Sequence, residues 1–313
     1  LHNEALPRPL WQKLQRLLLR WLLLRPGLFR SLLRLAHAFA WLLPASLRAK
    51  LPPLPSAHAV PAGKTINTDE SNTKTLLMLR GCAQRACAPG INGAASSLFN
   101  QLGYSVVESS IDTCCGALSQ HNDAHQEARK LARKNIDAWW PLIEKGAFAI
   151  VITASGCATM VREYGHLLAA DEQYAEKAVK VASLCRDPVD ILEAHTDRLV
   201  RKPGMPERIA YQAPCSQQHG LQIRGRVEKI LTAGGFTLTR QSIAHLCCGS
   251  AGSYSVLQPE ISTQLKNNKL DDLLSERPQL VATANIGCQL HLQSGTDIPD
   301  RHWCEIMDVK QSL

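Results

Sequence analysis

Acidic residues are nearly missing from the first 52 residues, where Glu4 is the single acid beside nine lysines and arginines. Beyond residue 52 the chain has 26 basic and 26 acidic residues, so the net charge of +8 lies entirely in the N-terminal segment. Aromatic residues are also scarce, at 5% of the chain, which is too few for the stacking platforms that bind single-stranded nucleic acid. The sequence therefore predicts no nucleic-acid partner.

Long apolar runs and nucleotide-binding glycines are missing as well. Lys13, Arg16 and Arg20 interrupt the Leu- and Trp-rich residues 10–24, so no run of about 18 uncharged apolar residues predicts a transmembrane helix. The same charges argue against a signal peptide. Neither a Gly-x-Gly-x-x-Gly fingerprint nor a phosphate-binding loop occurs, so no bound nucleotide is expected.

The N-terminal segment has the pattern of two helices. Apolar and basic residues recur with helical spacing in residues 8–25 and 28–43, which are separated by Pro26-Gly27. One interpretation is a helical hairpin that packs on a neighbouring domain. The alternative is a basic amphipathic surface that contacts anionic lipid or a membrane partner.

Cysteine is frequent, with eleven residues in 313. An odd number in a chain of this length fits poorly with a closed disulfide framework. Cys114 and Cys115 are adjacent, as are Cys247 and Cys248, and adjacent cysteines suit metal clusters. We therefore predict metal ligation in a reducing compartment, the cytoplasm.

The cysteines reveal an internal repeat. The sequence Cys-Cys-Gly begins at Cys114 and again at Cys247, and the interval from Cys82 to Cys114 equals the interval from Cys215 to Cys247. The cysteines that follow, Cys157 and Cys288, keep nearly the same offset between the copies, and both come directly after a glycine. The chain is therefore a tandem duplication.

Each copy alternates strands and helices. In the first copy the pattern predicts strands at 75–79, 104–109 and 148–153 with helices near 90–102 and 123–145; in the second it predicts strands at 209–212, 236–241 and 280–284 with helices near 219–233 and 259–276. The predicted fold class is therefore α/β, with two tandem pseudo-symmetric parallel units preceded by an α-helical hairpin. Each repeated cysteine follows a strand, so four thiols should gather at one end of each unit.

Four cysteines per copy can ligate an iron–sulfur cluster or close a tetrahedral zinc site. The adjacent pair favours iron, because structural zinc sites usually use short Cys-x2–4-Cys knuckles. The predicted cofactor- and metal-binding residues are Cys82, Cys114, Cys115, Cys157, Cys215, Cys247, Cys248 and Cys288. No catalytic acid, base or nucleophile is expected in this chain.

The remaining cysteines, Cys87, Cys185 and Cys304, have no counterpart in the other copy and are interpreted as core or surface thiols. Cys87 is the strongest candidate for an extra ligand among them. His291 follows Cys288 where the first copy has Met160 after Cys157, so we expect the two copies to be functionally unequal. His291 is then a fifth donor or, alternatively, caps a helix or hydrogen-bonds a carbonyl.

These motifs resemble the cysteine-rich CCG domain of the heterodisulfide reductase B subunit and of iron–sulfur subunits of flavin-linked dehydrogenases. Residues 135–141, 153–157, 247–254 and 283–288 are similar to the glycolate oxidase (glycolate dehydrogenase) iron–sulfur subunit. The likeness covers about residues 75–308, and the N-terminal helices resemble that subunit's interdomain segment.

The sequence departs from this family in two ways. It lacks the two C-x2-C-x2-C-x3-C-P runs of the family's N-terminal ferredoxin-like domain, so we expect it to hold the part after that domain. The fullest CCG motif ends in C-x-x-C, whereas Met160 and His291 stand at those positions. A structural role for one of the two copies is therefore an alternative to two cluster sites.

The resemblance implies an electron-transfer subunit with an iron–sulfur cofactor of the [4Fe-4S] type, zinc being the alternative in one site. The implied partners are an FAD-binding subunit that oxidises glycolate to glyoxylate, other subunits of the complex, and a quinone or the cytoplasmic face of the inner membrane. Two other functions stay open: a CCG-cluster disulfide or thiol reductase, and a zinc-stabilised scaffold.

The predicted division of the chain is a basic helical segment (1–52), a linker rich in Pro, Ser, Thr and Asn (53–74), a first cysteine-rich unit (75–200) and a second one (201–313). Residues 8–50 are predicted to be dispensable for folding of residues 75–308 but needed for docking, because they carry most of the excess charge.

Overall fold

The structure is a computed structural model that describes residues 9–42, 74–109 and 111–311. Two N-terminal helices precede two α/β units, each built on a four-stranded parallel sheet. The predicted fold class is confirmed. The predicted linker, apart from Lys74, lies outside the described residues.

The N-terminal hairpin consists of α1 (Leu10–Leu23) and α2 (Pro26–Ala38), followed by a 3₁₀ turn (Ala40–Leu42). Pro26 occupies the first position of α2, where a backbone N–H would have no helical partner and its loss is tolerated. The Pro-Gly pair thus ends one helix and starts the next, as predicted.

The first unit has the sheet order β2-β1-β3-β4, with all neighbours parallel. Leu76, Leu77 and Met78 of the central strand are buried, which is typical of parallel strands covered by helices on both faces. Its elements are β1 (Thr75–Met78), α3 (Ala83–Cys87), α4 (Gly90–Gln101), β2 (Ser105–Glu108), α5 (Ala117–Gln120), α6 (His125–Glu144), β3 (Ala149–Val151), α7 (Ser155–Arg162), α8 (Tyr164–Leu167), α9 (Ala175–Leu184), β4 (Cys185–Arg186) and α10 (Pro188–Leu192).

The second unit repeats this arrangement with the parallel order β7-β6-β8-β9. After a 3₁₀ helix (Glu193–Arg198) and β5 (Leu199–Arg201), its elements are β6 (Arg208–Gln212), a π-helical turn (Ser216–Gly220), α11 (Arg226–Ala233), β7 (Thr237–Leu238), α12 (Tyr254–Leu257), α13 (Pro259–Leu274), β8 (Leu280–Thr283), α14 (Ile286–Gln293), β9 (Asp300–His302), a 3₁₀ turn (Trp303–Glu305) and β10 (Met307–Val309).

Three details differ from the sequence prediction. The helix expected over 219–233 begins only at Arg226, because a π-helical turn follows Cys215 and Gly225 takes a positive φ of 70°. The short edge strands β4 and β9 were not predicted. Nor was the antiparallel pair of β5 and β10, which ties the C-terminus to the segment between the units. The division at residues 200 and 201 falls within β5 and stays a prediction.

The two units meet at the carboxyl ends of their central strands. The Ser155 N–H, just beyond β3, donates to the Ala284 carbonyl, just beyond β8, at 3.1 Å. The Ser155 and Ser216 hydroxyl oxygens lie 2.7 Å apart, and His302 Nε2 donates to the Thr153 carbonyl at 2.8 Å. Because the cysteines follow these strands, both sets lie beside the contact between the units.

Candidate metal centre

The structure brings together the four repeated cysteines of the first copy. Cys82 precedes α3, Cys114 and Cys115 follow β2, and Cys157 lies in the first turn of α7. The Cys82 and Cys114 sulfurs are 3.3 Å apart. The Cys115 thiol is hydrogen-bonded to both Cys114 and Cys157, so the four thiols form one continuous group.

The second copy forms the equivalent group. The Cys215 and Cys247 sulfurs are 3.8 Å apart, and the Cys248 thiol is hydrogen-bonded to Cys247 and to Cys288. Two further donors point at sulfur here: the Gly249 N–H lies 3.3 Å from the Cys247 sulfur, and Asn285 Nδ2 lies 3.4 Å from the Cys288 sulfur. Hydrogen bonds of this kind stabilise negative charge on a thiolate.

The glycine of each Cys-Cys-Gly turn lets a helix pack directly on the turn. Gly116 and Gly249 have φ values of +94° and +89°, which side chains with a Cβ rarely adopt. A Cβ at Gly249 would lie 2.4 Å from the Ser262 carbonyl oxygen of α13, and one at Gly116 would lie 3.2 Å from that of Ala128 in α6. Both turns therefore need glycine, the second more stringently.

The thiols in each set shift one another's pKa. Hydrogen bonding to Cys114, together with burial, raises the pKa of Cys82. Hydrogen bonding to Cys247 raises the pKa of Cys215, whereas the same contact lowers the pKa of Cys247 to about 2. Adjacent thiolates repel each other, so full ionisation of a set requires a cation among the sulfurs.

In each set two of the four thiols are buried and two are partly exposed. This donor set fits an iron–sulfur cluster, because four convergent cysteine thiols are the ligands that such clusters use. Binding would replace the contacts between thiols by metal–thiolate bonds. Among the described residues, no group of three or more His, Cys, Asp or Glu surrounds one point closely enough to hold a single metal ion.

The first set borders a small cavity at the contact between the units. The cavity has a volume of about 40 Å³ and is lined by Cys82 and Cys157 together with Ile286 of the second unit. On the other side of the contact, Cys215 immediately precedes Ser216, whose hydroxyl is bonded to that of Ser155. The hydrogen-bonded serines thus connect the segments that carry the two sets.

The cysteines without a counterpart lie outside the chains of contacting sulfurs. Cys87 is buried at the end of α3, and burial raises its pKa to about 11. Cys185 is buried in β4 and donates to the Ala158 carbonyl at 3.6 Å. Cys304 is also buried. The structure therefore places all three thiols in the interior.

His291, the predicted fifth donor, is engaged elsewhere. Its Nε2 lies 3.1 Å from the Ser262 hydroxyl and 3.4 Å from the Ser262 carbonyl oxygen. The contact with the Ser262 carbonyl matches the alternative role, in which His291 hydrogen-bonds a carbonyl. Because Ser262 also donates to the Gly249 carbonyl at 2.8 Å, His291 supports the Cys-Cys-Gly turn through Ser262.

Sequence reasoning missed three side chains around the cysteines. Asn285 donates to a sulfur, Tyr164 donates to the Cys115 carbonyl at 2.8 Å, and Lys269 binds the loop before Cys247. Lys269 could have been found from the repeat, because it is a charged residue where the first copy has an apolar one, Ile136. Tyr164 has no such signal.

Three arginines of the hairpin face the first unit. Arg16 donates to the Asn122 side chain at 3.1 Å, and Arg20 forms an ion pair with Glu127 at 3.1 Å. Arg30 donates to the Arg85 carbonyl. The hairpin therefore packs on the neighbouring unit, which is the first of the two predicted arrangements.

The opposite side of the hairpin is apolar and exposed. Both helices carry stripes of exposed large side chains at helical spacing: Leu10, Trp11, Leu14, Leu17, Leu18, Trp21, Leu28, Leu32, Leu35, Phe39, Trp41 and Leu42. Lys13, Arg25 and Arg34 are exposed among them, and the described part of the hairpin contains no acidic residue. We call this the hairpin face. Within the described residues, no helix is both long and apolar enough to cross a bilayer.

Comparisons with known proteins agree with the repeat and its cysteines. The profile of a cysteine-rich domain, CCG, matches residues 76–162 and 209–293. Two matches in one chain define the class as proteins with tandem CCG domains. The chain is 41% identical over 312 residues to the glycolate oxidase iron–sulfur subunit of Escherichia coli (strain K12), which covers 99% of this chain and 74% of that protein. It belongs to the family of glycolate oxidase iron–sulfur subunits, and the resemblance found in the sequence is confirmed.

More distant relatives share the same part of the chain. The "Probable glycolate oxidase iron-sulfur subunit" of Bacillus subtilis (strain 168) is 26% identical, with 72% of this chain and 50% of that protein covered. "Lactate utilization protein A" of an Exiguobacterium species is 29% identical, with 74% and 96% covered. This chain therefore spans half of the Bacillus subtilis subunit and nearly all of the Exiguobacterium protein.

Proposed function

We propose that this chain is the iron–sulfur electron-transfer subunit of a flavin-linked 2-hydroxy acid dehydrogenase that oxidises glycolate to glyoxylate. The observation that carries the proposal is the pair of four-thiol groups on either side of the contact between the units. The names of the relatives support iron–sulfur chemistry. The flavin and the substrate belong to a partner FAD-binding subunit in this proposal.

The proposed ligands are the eight repeated cysteines, four for each site. When bound, an iron–sulfur cluster of the [4Fe-4S] type supplies one-electron transfer. The chain's own residues hold the thiolates at the strand ends and limit the access of water to them. They also direct N–H groups at sulfur, as Gly249 and Asn285 do in the second set. Burial and such hydrogen bonds are the means by which a protein sets a cluster's potential.

The test is reduction by glycolate through the partner. The anaerobically prepared chain is mixed with the FAD-binding subunit and glycolate, and the EPR signal of reduced clusters is recorded. We expect a signal that needs both glycolate and the flavoprotein. Clusters that are oxidised by a disulfide but never reduced by glycolate would support the disulfide reductase instead. A colourless protein with stoichiometric zinc would support the scaffold.

We further propose that the hairpin face rests on an anionic membrane, which would place the complex at the cytoplasmic face of the inner membrane. Leucines exposed on one side, with three tryptophans and basic residues among them, match the composition of helices that lie in the lipid interface. Arg25 stacks on Trp21, with 4.6 Å between the guanidinium carbon and the ring centre. The described hairpin has no acidic side chain that would repel anionic headgroups.

Vesicle sedimentation tests this membrane contact. The full chain should sediment with phosphatidylglycerol-containing vesicles and less with phosphatidylcholine vesicles. Replacing Leu17 and Trp21 by Ser should weaken binding at least tenfold, because each removes about 1.5–3 kcal/mol of apolar transfer free energy. Replacing the buried Leu33 by Ala is the matched control on the same hairpin. Equal binding of parent and double variant would contradict the proposal.

A further inference from the structure

A buried lysine lies beside the second cysteine set. Lys269 of α13 is 1% exposed, and its Nζ donates to the carbonyls of Ile243 and Ala244 at 3.1 Å each. Both carbonyls belong to the loop that leads into Cys247 and Cys248. Burial of an ammonium group is costly unless it is compensated, so this side chain calls for a physical explanation.

The first unit has an apolar residue at the position that matches Lys269. The offset between the copies that relates Asn135 to Asn268 also relates Ile136 to Lys269, and Ile136 is fully buried in α6. Near the first set, Arg80 forms an ion pair with Asp112 at 2.8 Å, and Arg85 and Glu108 lie close to this pair. Their opposite charges largely cancel, so the two sets lie in different electrostatic surroundings.

Asp272, one turn along α13, carries a negative charge that opposes the charge of Lys269. Its oxygens accept hydrogen bonds from the Ser242 N–H, the Ser242 hydroxyl and the Ile243 N–H. Lys269 Nζ also binds the Ala244 carbonyl, which is nearer to Cys247 along the loop. Burial raises the pKa of Asp300 well above its ordinary value, which favours the neutral carboxyl. Burial likewise lowers the pKa of His291, which keeps the imidazole neutral.

Lys269 interacts electrostatically with the second set. Burial lowers the pKa of Lys269 itself, while Asp272 and the three nearest cysteines of the second set oppose that shift. The lysine and the sulfurs are therefore close enough to interact electrostatically.

Resting on the iron–sulfur function proposed above, we infer that Lys269 makes the second cysteine set the more readily reduced of the two cluster sites. Reduction adds one negative charge to a cluster, and a buried positive charge stabilises that state more than it would in water. If both sets held clusters, the first centre would be oxidised as it passed one electron to the second. That electron would come from the reduced flavin of the partner and would leave to a quinone-type acceptor. Lys269 acts on the second site through its positive charge and does not touch the substrate.

An EPR-monitored redox titration of the anaerobically prepared full chain tests this inference. Cys247→Ser, which removes a second-set ligand, identifies the signal of the second centre by its loss. In the parent, that signal should appear first as reductant is added. In Lys269→Met the second centre should shift to a lower midpoint potential while the first is unchanged. Lys269→Arg, which keeps the charge, should restore the parent order.

Ile136→Met is the matched control at the equivalent position of the first unit, and it should leave both potentials in place. If the first centre is reduced before the second in the parent, the inference is overturned. This result does not depend on the variant, so it holds even if Lys269→Met fails to retain its cluster. Unchanged potentials in a fully loaded Lys269→Met would overturn it too. Absence of iron and sulfide from the parent would instead refute the proposed function, and iron analysis before the titration separates the two failures.

Discussion

Gly249→Ala should destabilise the protein far more than the same substitution at another glycine of similar backbone conformation. Gly249 has φ +89° and Gly235 has φ +96°, but a Cβ at Gly235 would meet no atom within 4 Å. A left-handed conformation costs an alanine about 1–2 kcal/mol, which both variants share. At Gly249 the added Cβ would also lie 2.4 Å from the Ser262 carbonyl oxygen, a helix backbone atom that cannot rotate away.

Relief of that contact requires α13 or the Cys-Cys-Gly turn to move, and overpacking of this kind costs about 1–3 kcal/mol. The total for Gly249→Ala is therefore about 2–5 kcal/mol, against about 1–2 kcal/mol for Gly235→Ala. Urea unfolding of the two variants beside the parent, followed by circular dichroism, measures the difference. Gly249→Ala should also lose iron from the second site, whereas Gly235→Ala should keep it. Equal unfolding midpoints for the two variants would show that close packing of α13 on the turn is not required.

Two further predictions concern acid stability and the cysteine sets. Burial lowers the pKa of the His302 imidazole to about 4. Above the ordinary histidine pKa of about 6.5, the neutral imidazole makes its full contribution to stability. This contribution of about 3 kcal/mol is lost as the pH falls from about 6.5 toward 4. The difference in unfolding free energy between the parent and His302→Gln should therefore shrink between pH 7 and pH 4, whereas parallel pH curves would contradict the buried, neutral imidazole. Cys115→Ser should remove the iron of the first site only, while Cys185→Ser, at a buried thiol outside the set, should retain full iron content by anaerobic analysis; equal losses in both would argue against the assigned ligands.

The repeat predicted most of the fold because its signal is strong and local. Strands rich in apolar residues, such as β1 and β8, are buried on both faces, so their runs stand out from the amphipathic helices. The short strands β4, β5 and β10 lie outside the repeated segments 76–162 and 209–293, so no second copy supports their weak pattern. They depend on tertiary contacts that the sequence does not display.

The sequence predicts the cysteines of the candidate site but not the side chains that surround them. Cys82 follows β1 and Cys215 follows β6, each in its own parallel sheet. The carboxyl ends of the parallel strands in one sheet lie at one edge, so the sequence predicts that each set of cysteines gathers there. The hydrogen bonds of Asn285 and His291 depend on helix orientation. The direction of the hairpin face was also beyond prediction, because an amphipathic helix shows two faces but not which one meets the protein.

The two four-thiol groups are proposed to hold iron–sulfur clusters. The direct test is to measure iron, zinc and acid-labile sulfide together on the anaerobically isolated full chain and to record an EPR spectrum of the reduced protein. We predict iron and sulfide in equal amounts, little zinc, and signals that are lost separately when a cysteine of either set is replaced. A colourless protein with zinc and no sulfide, or with no metal at all, would contradict it.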